Sequence, residues 1–354
     1  MRRDVVINAR FLTQPFTGVQ RYALEISRHL SGRDITFVSP SGPVKTEASR
    51  GLNVLQYGSL QGHLWEQFDL LRYLKTNSNP LLFNLTQTSP YLYKPFVLTL
   101  HDISFLKNPE WYARGVRRLY SALMPGLAGK ALKIITSSCF SKGEIIKYLN
   151  IQESRIEGIG GAVKEGFSEK AKEGFSAPLG DYILAVSSLN PRKNLYNLIR
   201  AFKACRFDGI KLVVVGDTSN VYPGSHCDLI GKMIDDNIRL INYVTDEELA
   251  ALYNKALFFA YPSLYEGFGI PLLEAFACKC PVMASNTSAM PEVCSDGAYY
   301  VNPYDVDSIS SGLKVMVEDA ALRQNLVEKA TQRAAQFSWR VSAAACLKII
   351  EECR

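Results

Sequence analysis

The stretch SLYEGFGIPLLEAFACKCPV, residues 263–282, sets two glutamates, Glu266 and Glu274, in an otherwise apolar, glycine-rich setting. Before it, ALFFAYPS (256–263) has the continuous apolar run of a strand buried on both faces. After the loop LYEGFG, the segment PLLEAFACK reads as a helix with Pro271 in its first turn, where the missing N–H would have no helical partner anyway. Leu272, Leu273, Phe276 and Ala277 make its packing face. Gly267 and Gly269 let the backbone approach a ligand closely. The free N–H groups at the helix start suit a phosphate or sugar oxygen. A buried carboxylate is costly unless paired or hydrogen-bonded, so both glutamates need partners. Glu274, one turn into the helix, can accept two hydroxyls of a ribose, and Glu266 can accept sugar hydroxyls or balance developing positive charge.

The same strand–loop–helix rhythm runs through the chain. DVVINA (4–9), ITFVS (35–39), NVLQY (53–57), LLFNL (81–85), FVLTLHD (96–102) and KIITSS (133–138) read as strands, with a helix from Val19 to Leu30 after the first. From 158 to 180 the chain turns rich in Gly, Lys and Glu, and the alternation then restarts with YILAVSSL (182–189), IKLVVVGD (210–217), IRLINYV (238–244), the strand at 256–263 and CPVMASN (280–286). This predicts an α/β protein with two doubly wound parallel sheets facing a cleft, divided as 1–170 and 171–337. A last helix over 338–354 has Ser338 as its N-cap.

Length and composition agree with that division. At 354 residues the chain exceeds one ordinary core, and 47% apolar with 21% charged residues is typical of a globular enzyme. No apolar run is long enough to span a bilayer, and MRRDVVINARFL reads as a first strand rather than a signal peptide. The eight cysteines form no C-x-x-C pair and the four histidines no metal-finger spacing, which predicts reduced thiols, a cytoplasmic setting and no structural metal. Charge is uneven: residues 1–175 carry a net +9 and the remainder a net −3. A basic first half fits an anionic partner such as a lipid surface or a phosphate-bearing substrate. Around 111–133, Trp111, Tyr112, Leu119, Leu123 and Met124 alternate with Arg114, Arg117, Arg118, Lys130 and Lys133, a pattern for peripheral membrane contact or for a basic helix packed on the sheet.

Further chemistry sits where strands end. In LNPRKNLYNLIRAF (189–202), Arg192 and Lys193 stand where a diphosphate is expected, a planar fork and a point charge for phosphate oxygens. His101, in TLHDISF, closes an apolar strand and precedes Asp102. Gly18, in TGVQRY, opens the first helix, where it can admit a phosphate or an acceptor. Asp305 and Asp307 read as a helix cap rather than a metal site.

EGFGIPLLE resembles the Glu-x7-Glu signature of glycosyltransferase family 4, the retaining GT-B group, and NPRKNLYNLIRAF, VVVGD, NYVTDEELAALY, MPEV, HDISF and FSWRVSAAACLKII resemble the same family in the same order. The resemblance implies two Rossmann-like domains, the first binding the acceptor and the second the nucleotide-sugar donor, with the final helix crossing back to the first. It places the ribose on Glu274, and the donor sugar or phosphate by Glu266. The donor sugar would also meet the backbone of Gly267, Phe268, Gly269 and Ile270. The diphosphate falls to Arg192 and Lys193, the base to Tyr243 or Val244, the transferred sugar to His101, and a phosphate to Gly18. Two departures stand out: Ser187-Ser188 where many members have Gly-Arg, and Asn242 where many have Gly.

The expected activity is transfer of a hexose from a nucleoside diphosphate sugar, GDP-mannose preferred over dTDP- or UDP-linked sugars, without a metal or other cofactor. The acceptor is a sugar hydroxyl of an oligosaccharide or polyprenyl-diphosphate-linked chain, in assembly of O-antigen, capsule or another surface polysaccharide. Nucleic acid is not an expected partner. The alternatives are a sugar-nucleotide epimerase or hydrolase of the same fold, and a catalytically degenerate scaffold subunit.

Overall fold

The computed structural model describes residues 3–15, 17–44, 49–168, 180–216 and 223–354. Its contacts divide into two compact units, one of residues 1–106, 118–161 and 338–354, the other of 107–117 and 162–337. The division thus falls at 161/162, while position 170, the boundary expected from composition, lies outside the described residues.

Unit 1 is a seven-stranded parallel sheet in the order β3-β2-β1-β4-β5-β6-β7. The strands are β1 (Val5–Asn8), β2 (Ile35–Ser39), β3 (Val54–Gln56), β4 (Leu81–Asn84), β5 (Phe96–Thr99), β6 (Ile134–Thr136) and β7 (Ile156–Gly158). Its main helices are α1 (Gly18–Leu30), α2 (residues 62–76, with a π-helical turn Trp65–Leu70), α3 (Arg114–Lys130) and α4 (Cys139–Leu149). The unit boundary at 117/118 falls inside α3. Two expectations need correction here. β7 was not anticipated, and β5 ends at Thr99, so His101 and Asp102 lie in the loop beyond it.

Unit 2 is a six-stranded parallel sheet, order β10-β9-β8-β11-β12-β13. Its strands are β8 (Asp181–Val186), β9 (Ile210–Val215), β10 (Ile238–Ile241), β11 (Phe258–Tyr261), β12 (Val282–Ser285) and β13 (Tyr299–Val301). Its main helices are α5 (Leu195–Cys205), α6 (Cys227–Met233), α7 (Asp246–Lys255), α8 (Ile270–Ala277), α9 (Val306–Glu318) and α10 (Ala320–Ala334). Successive strand residues alternate between two apolar cores. Ile183, Ala185, Leu212, Val214, Phe258 and Ala260 pack on one face, and Tyr182, Leu184, Val213, Val215, Phe259 and Tyr261 on the other. Both faces are covered by helices, so the strands read as unbroken apolar runs. β13 was not anticipated, and β10 is shorter than expected, which leaves Tyr243 and Val244 in the loop after it. Asp217 of the VVVGD motif lies outside the described residues.

The last helix, α11 (Trp339–Cys353), belongs to unit 1. Trp339 meets Tyr22 of α1 with ring centroids 5.7 Å apart, and the Ser342 hydroxyl donates to the Gly160 carbonyl at 2.7 Å. Ser338 occupies the N-cap position, but its side chain makes no capping hydrogen bond. Asp305 does cap α9, accepting from the Asp307 amide at 2.9 Å.

Candidate functional site

In unit 2 the strand order reverses between β8 and β11, and ligands of doubly wound sheets bind at the carboxyl ends of strands flanking such a reversal. The loops leaving these two strands carry Arg192, Lys193 and Glu266, and Glu274 follows in α8. After β8 the chain makes a single 3-10 turn, Pro191–Lys193, capped by the Asn190 side chain, and Asn194 then enters α5 with φ of 59°. The Asn194 side chain is buried and donates to the carbonyls of Pro262 at 2.9 Å and Pro303 at 2.7 Å, fastening the loop after β8 to those after β11 and β13. The Leu264 amide donates to the Arg192 carbonyl at 2.8 Å. The Glu266 amide donates to Ser288 Oγ at 3.0 Å, and Ser285 Oγ to the Ser263 carbonyl at 2.7 Å. The loops are therefore held by the protein's own hydrogen bonds, mostly from the Asn194, Ser285 and Ser288 side chains.

Within this frame the partner of Glu266 is Lys193. Lys193 Nζ lies 2.7 Å from Glu266 Oε1 and donates to the Tyr261 hydroxyl at 2.7 Å, with side-chain exposures of 16% for Lys193 and 7% for Glu266. Tyr261 is the last residue of β11, and its ring also lies under the ammonium, 4.8 Å from Nζ to the centroid. Burial alone would raise the Glu266 pKa, but Lys193 and Arg192 outweigh it and hold the carboxyl below its ordinary value. Burial holds the Lys193 ammonium below the ordinary lysine value despite the pull of Glu266, and Arg192 adds to that effect. Burial pushes the Tyr261 hydroxyl well up, and the charge on Glu266 pushes it further.

A lowered native carboxyl pKa stabilises the fold above the unfolded-state value of 4.5, and this contribution is lost as pH falls through the native value. The melting temperature of the wild-type chain is thus expected to fall more steeply below pH 4.5 than that of Glu266→Gln. Parallel acid curves would overturn the pairing.

Glu274 is buried rather than solvated, 5% exposed. It stands in α8, entered through Gly269 in the left-handed region (φ 99°) with Pro271 in the first turn. The Tyr253 hydroxyl of α7 donates toward Glu274 Oε2 at 3.5 Å, and Glu274 is near enough to Lys193 to pull the lysine's pKa upward. Phe268 is buried, its ring edge-on to Phe337 at 5.7 Å, so it offers a ligand backbone rather than its ring, while Ile270 is half-buried. Tyr243 is 84% exposed, a free ring face, with the half-buried Val244 beside it.

The structure thus brings Arg192, Lys193, Glu266, Gly267 to Ile270 and Glu274 together in unit 2, while His101 and Gly18 belong to unit 1. His101 follows β5 and is buried; its Nε2 donates to the Leu85 carbonyl at 3.2 Å and its ring packs edge-on to Tyr22 at 4.8 Å. Burial lowers its pKa, so the ring is neutral at pH 7 and Nδ1 is left as an acceptor. Asp102 is a local cap, its carboxylate accepting from the Ser104 amide at 2.9 Å. Gly18 begins α1, and a Cβ there would meet nothing within 4 Å, so packing does not demand glycine. Tyr261, Tyr253 and Asn194 were missed by the sequence reading. Each looked like an ordinary core aromatic or turn residue, and only long-range contacts reveal its role.

Among the described residues no group of three or more His, Cys, Asp and Glu is placed to hold a metal ion, and no helix is long and apolar enough to cross a membrane.

Two tandem parallel-sheet Rossmann-like domains, the second with a paired Lys–Glu and a helix-borne glutamate at its switch point, define the GT-B class. The chain belongs to glycosyltransferase family 4 and is a glycosyltransferase: residues 16–164 match the model described as Glycosyltransferase Family 4, and residues 168–333 that described as Glycosyl transferases group 1. It is 29% identical over 361 residues to O-antigen chain mannosyltransferase B of Escherichia coli, covering 92% of this chain and 93% of that protein. It is 30% identical over 244 residues to O-antigen chain mannosyltransferase RfbU of Salmonella typhimurium, covering 68% of this chain and 66% of that one. Anabaena HepE, solved in complex with UDP-glucose, matches with a TM-score of 0.77 at 17% identity, over 98% of this chain and 99% of that chain.

Proposed function

We propose that the protein transfers a hexose, with retention at the anomeric carbon, from a nucleoside diphosphate sugar to a sugar hydroxyl of a lipid-linked acceptor in surface-polysaccharide synthesis. The carrying observation is the Lys193–Glu266 pair at 2.7 Å beside the buried Glu274, at the switch point of unit 2. As the glycosidic bond breaks, negative charge gathers on the leaving diphosphate. Arg192, Lys193 and the N-terminus of α8 stabilise it without requiring a metal. Glu274 takes the ribose, the backbone of Gly267 to Ile270 the donor sugar, and Tyr243 with Val244 the base. In unit 1, neutral His101 can accept from a sugar hydroxyl and Gly18 can admit a phosphate. The leaving phosphate takes the acceptor's proton on the same face, a route that needs no covalent nucleophile.

The mannosyltransferase names of the relatives support mannose as the sugar, and GDP-mannose as the first donor to try. Peripheral membrane contact is supported by α3, which exposes Val116 (44%) and Leu119 (40%) beside Arg114, Arg117 and Arg118. Flotation with anionic against neutral vesicles checks it.

The deciding experiment is thermal stability with GDP, UDP and dTDP, with and without magnesium. A nucleotide at a hundred times its dissociation constant adds about 2.7 kcal/mol. One nucleotide raising the melting temperature without magnesium, and its mannose conjugate acting as donor, is the expected result. No response to any nucleotide would overturn the donor site and favour the scaffold reading.

A further inference from the structure

Unit 1 has a switch point of its own, between β1 and β4, and a buried polar network closes it. Asn8 ends β1 and Asn84 ends β4; Asn8 Nδ2 donates to Asn84 Oδ1 at 3.1 Å and to Glu66 Oε2 at 2.9 Å. Thr88 Oγ1 donates to the same Glu66 oxygen at 3.0 Å and accepts from Arg10 Nη2 at 3.0 Å. Arg10 Nη2 lies 3.6 Å from Glu66 Oε2, with exposures of 5% for Arg10 and 0% for Glu66. Burial would raise the Glu66 pKa, but Arg10, His63 and Thr88 outweigh it, so the carboxylate stays charged.

This arrangement is poor economy for stability alone. A buried ion pair is commonly matched or bettered by apolar residues of the same volume. Arg10 Nε is buried and makes no hydrogen bond, which itself destabilises. Glu66 also sits in the π-helical turn Trp65–Leu70, and such turns occur frequently at functional sites. The turn is fixed by Trp65 Nε1 donating to the Tyr57 carbonyl at 2.7 Å, by Gln67 Nε2 donating to the Ser89 carbonyl at 3.0 Å, and by the Tyr91 amide donating to Gln67 Oε1 at 2.8 Å.

On the solvent side stands His63, 41% exposed, its Nδ1 3.8 Å from Glu66 Oε1. Its ring meets Tyr120 edge-on at 6.3 Å, and Tyr120 meets Phe105 at 5.3 Å. The Tyr120 hydroxyl is pushed up by burial and feels both Arg10 and Glu66. An imidazole and a phenol therefore rim a charge-balanced pair at the carboxyl ends of the sheet. Aromatic faces with fixed hydrogen-bonding groups suit a neutral polyhydroxyl ring; the paired Arg10 leaves no net positive charge for a phosphate.

We propose that His63 and Tyr120 bind a sugar ring of the acceptor, with Glu66 and Arg10 as the positioning residues behind them. This rests on the transferase reading above. The test uses the full chain with octyl α-mannoside as the probe, its binding measured without nucleotide and its KM at saturating GDP-mannose. His63→Ala and Tyr120→Phe are each expected to weaken glycoside binding about tenfold, the loss of one good hydrogen bond, with the nucleotide response unchanged. Glu66→Gln should raise the glycoside's KM and leave the donor's KM alone, a split that a merely structural role would not produce. Glycoside binding that is absent in the wild type, or unaltered in both His63→Ala and Tyr120→Phe, overturns the assignment. Failure of the transferase reading would look different: no nucleotide response, with glycoside binding still sensitive to these two residues.

Discussion

Lys193→Ala is expected to lower glycosyl transfer by two orders of magnitude or more and to lower the melting temperature as well. The first effect follows from the charge that builds on a leaving diphosphate: one well-placed donor to such a group contributes about 2.7–4 kcal/mol to the transition state, a factor of about 10²–10³. The second follows from what the lysine leaves behind. Glu266, 6% exposed and 2.7 Å from Nζ, would be a buried carboxylate without its main counter-charge. Removing one partner of a buried pair destabilises by about 3–5 kcal/mol, and the 16% exposure of Lys193 puts this case at the lower end. Adding Glu266→Gln to Lys193→Ala should recover much of the stability and none of the activity. Turnover near wild type in Lys193→Ala would remove this lysine from the chemistry.

The parts of the molecule that were legible in the sequence are those set by local pattern. The strands with apolar runs of four or more residues were found, because a strand covered on both faces has no polar face to interrupt it. The two that were missed, Ile156–Gly158 and Tyr299–Val301, are three residues long and follow chain that reads as loop. Glu274 and Glu266 were legible because a carboxylate beside glycines and a helix-opening proline has a chemical meaning independent of the fold. Lys193 as the partner of Glu266 was not. The two are 73 positions apart, and their meeting depends on β8 and β11 being neighbours, a topological fact no local window contains. Glu66 was harder still. In GHLWEQFDL it looks like one charge on a solvated helix face, and only Asn8, Thr88 and Arg10, far away in sequence, show that it is buried.

Glu274→Gln is expected to lose transfer as severely as Lys193→Ala, by two orders of magnitude or more, and to lose the nucleotide response with it. A ribose presents two hydroxyls, and a carboxylate accepts from both; a carboxamide has one accepting oxygen and turns two N–H donors toward groups that also donate. The nucleotide-induced rise in melting temperature, about 2.7 kcal/mol at a hundredfold excess over the dissociation constant, should therefore largely disappear. Glu274 is 5% exposed and accepts from the Tyr253 hydroxyl at 3.5 Å. The two variants thus differ in what they remove: Lys193→Ala the charge that meets the leaving diphosphate, Glu274→Gln the hold on the nucleotide. A Glu274→Gln protein that melts earlier while keeping its nucleotide response would show instead that this glutamate holds α8 against α7 and has no hand in the donor site.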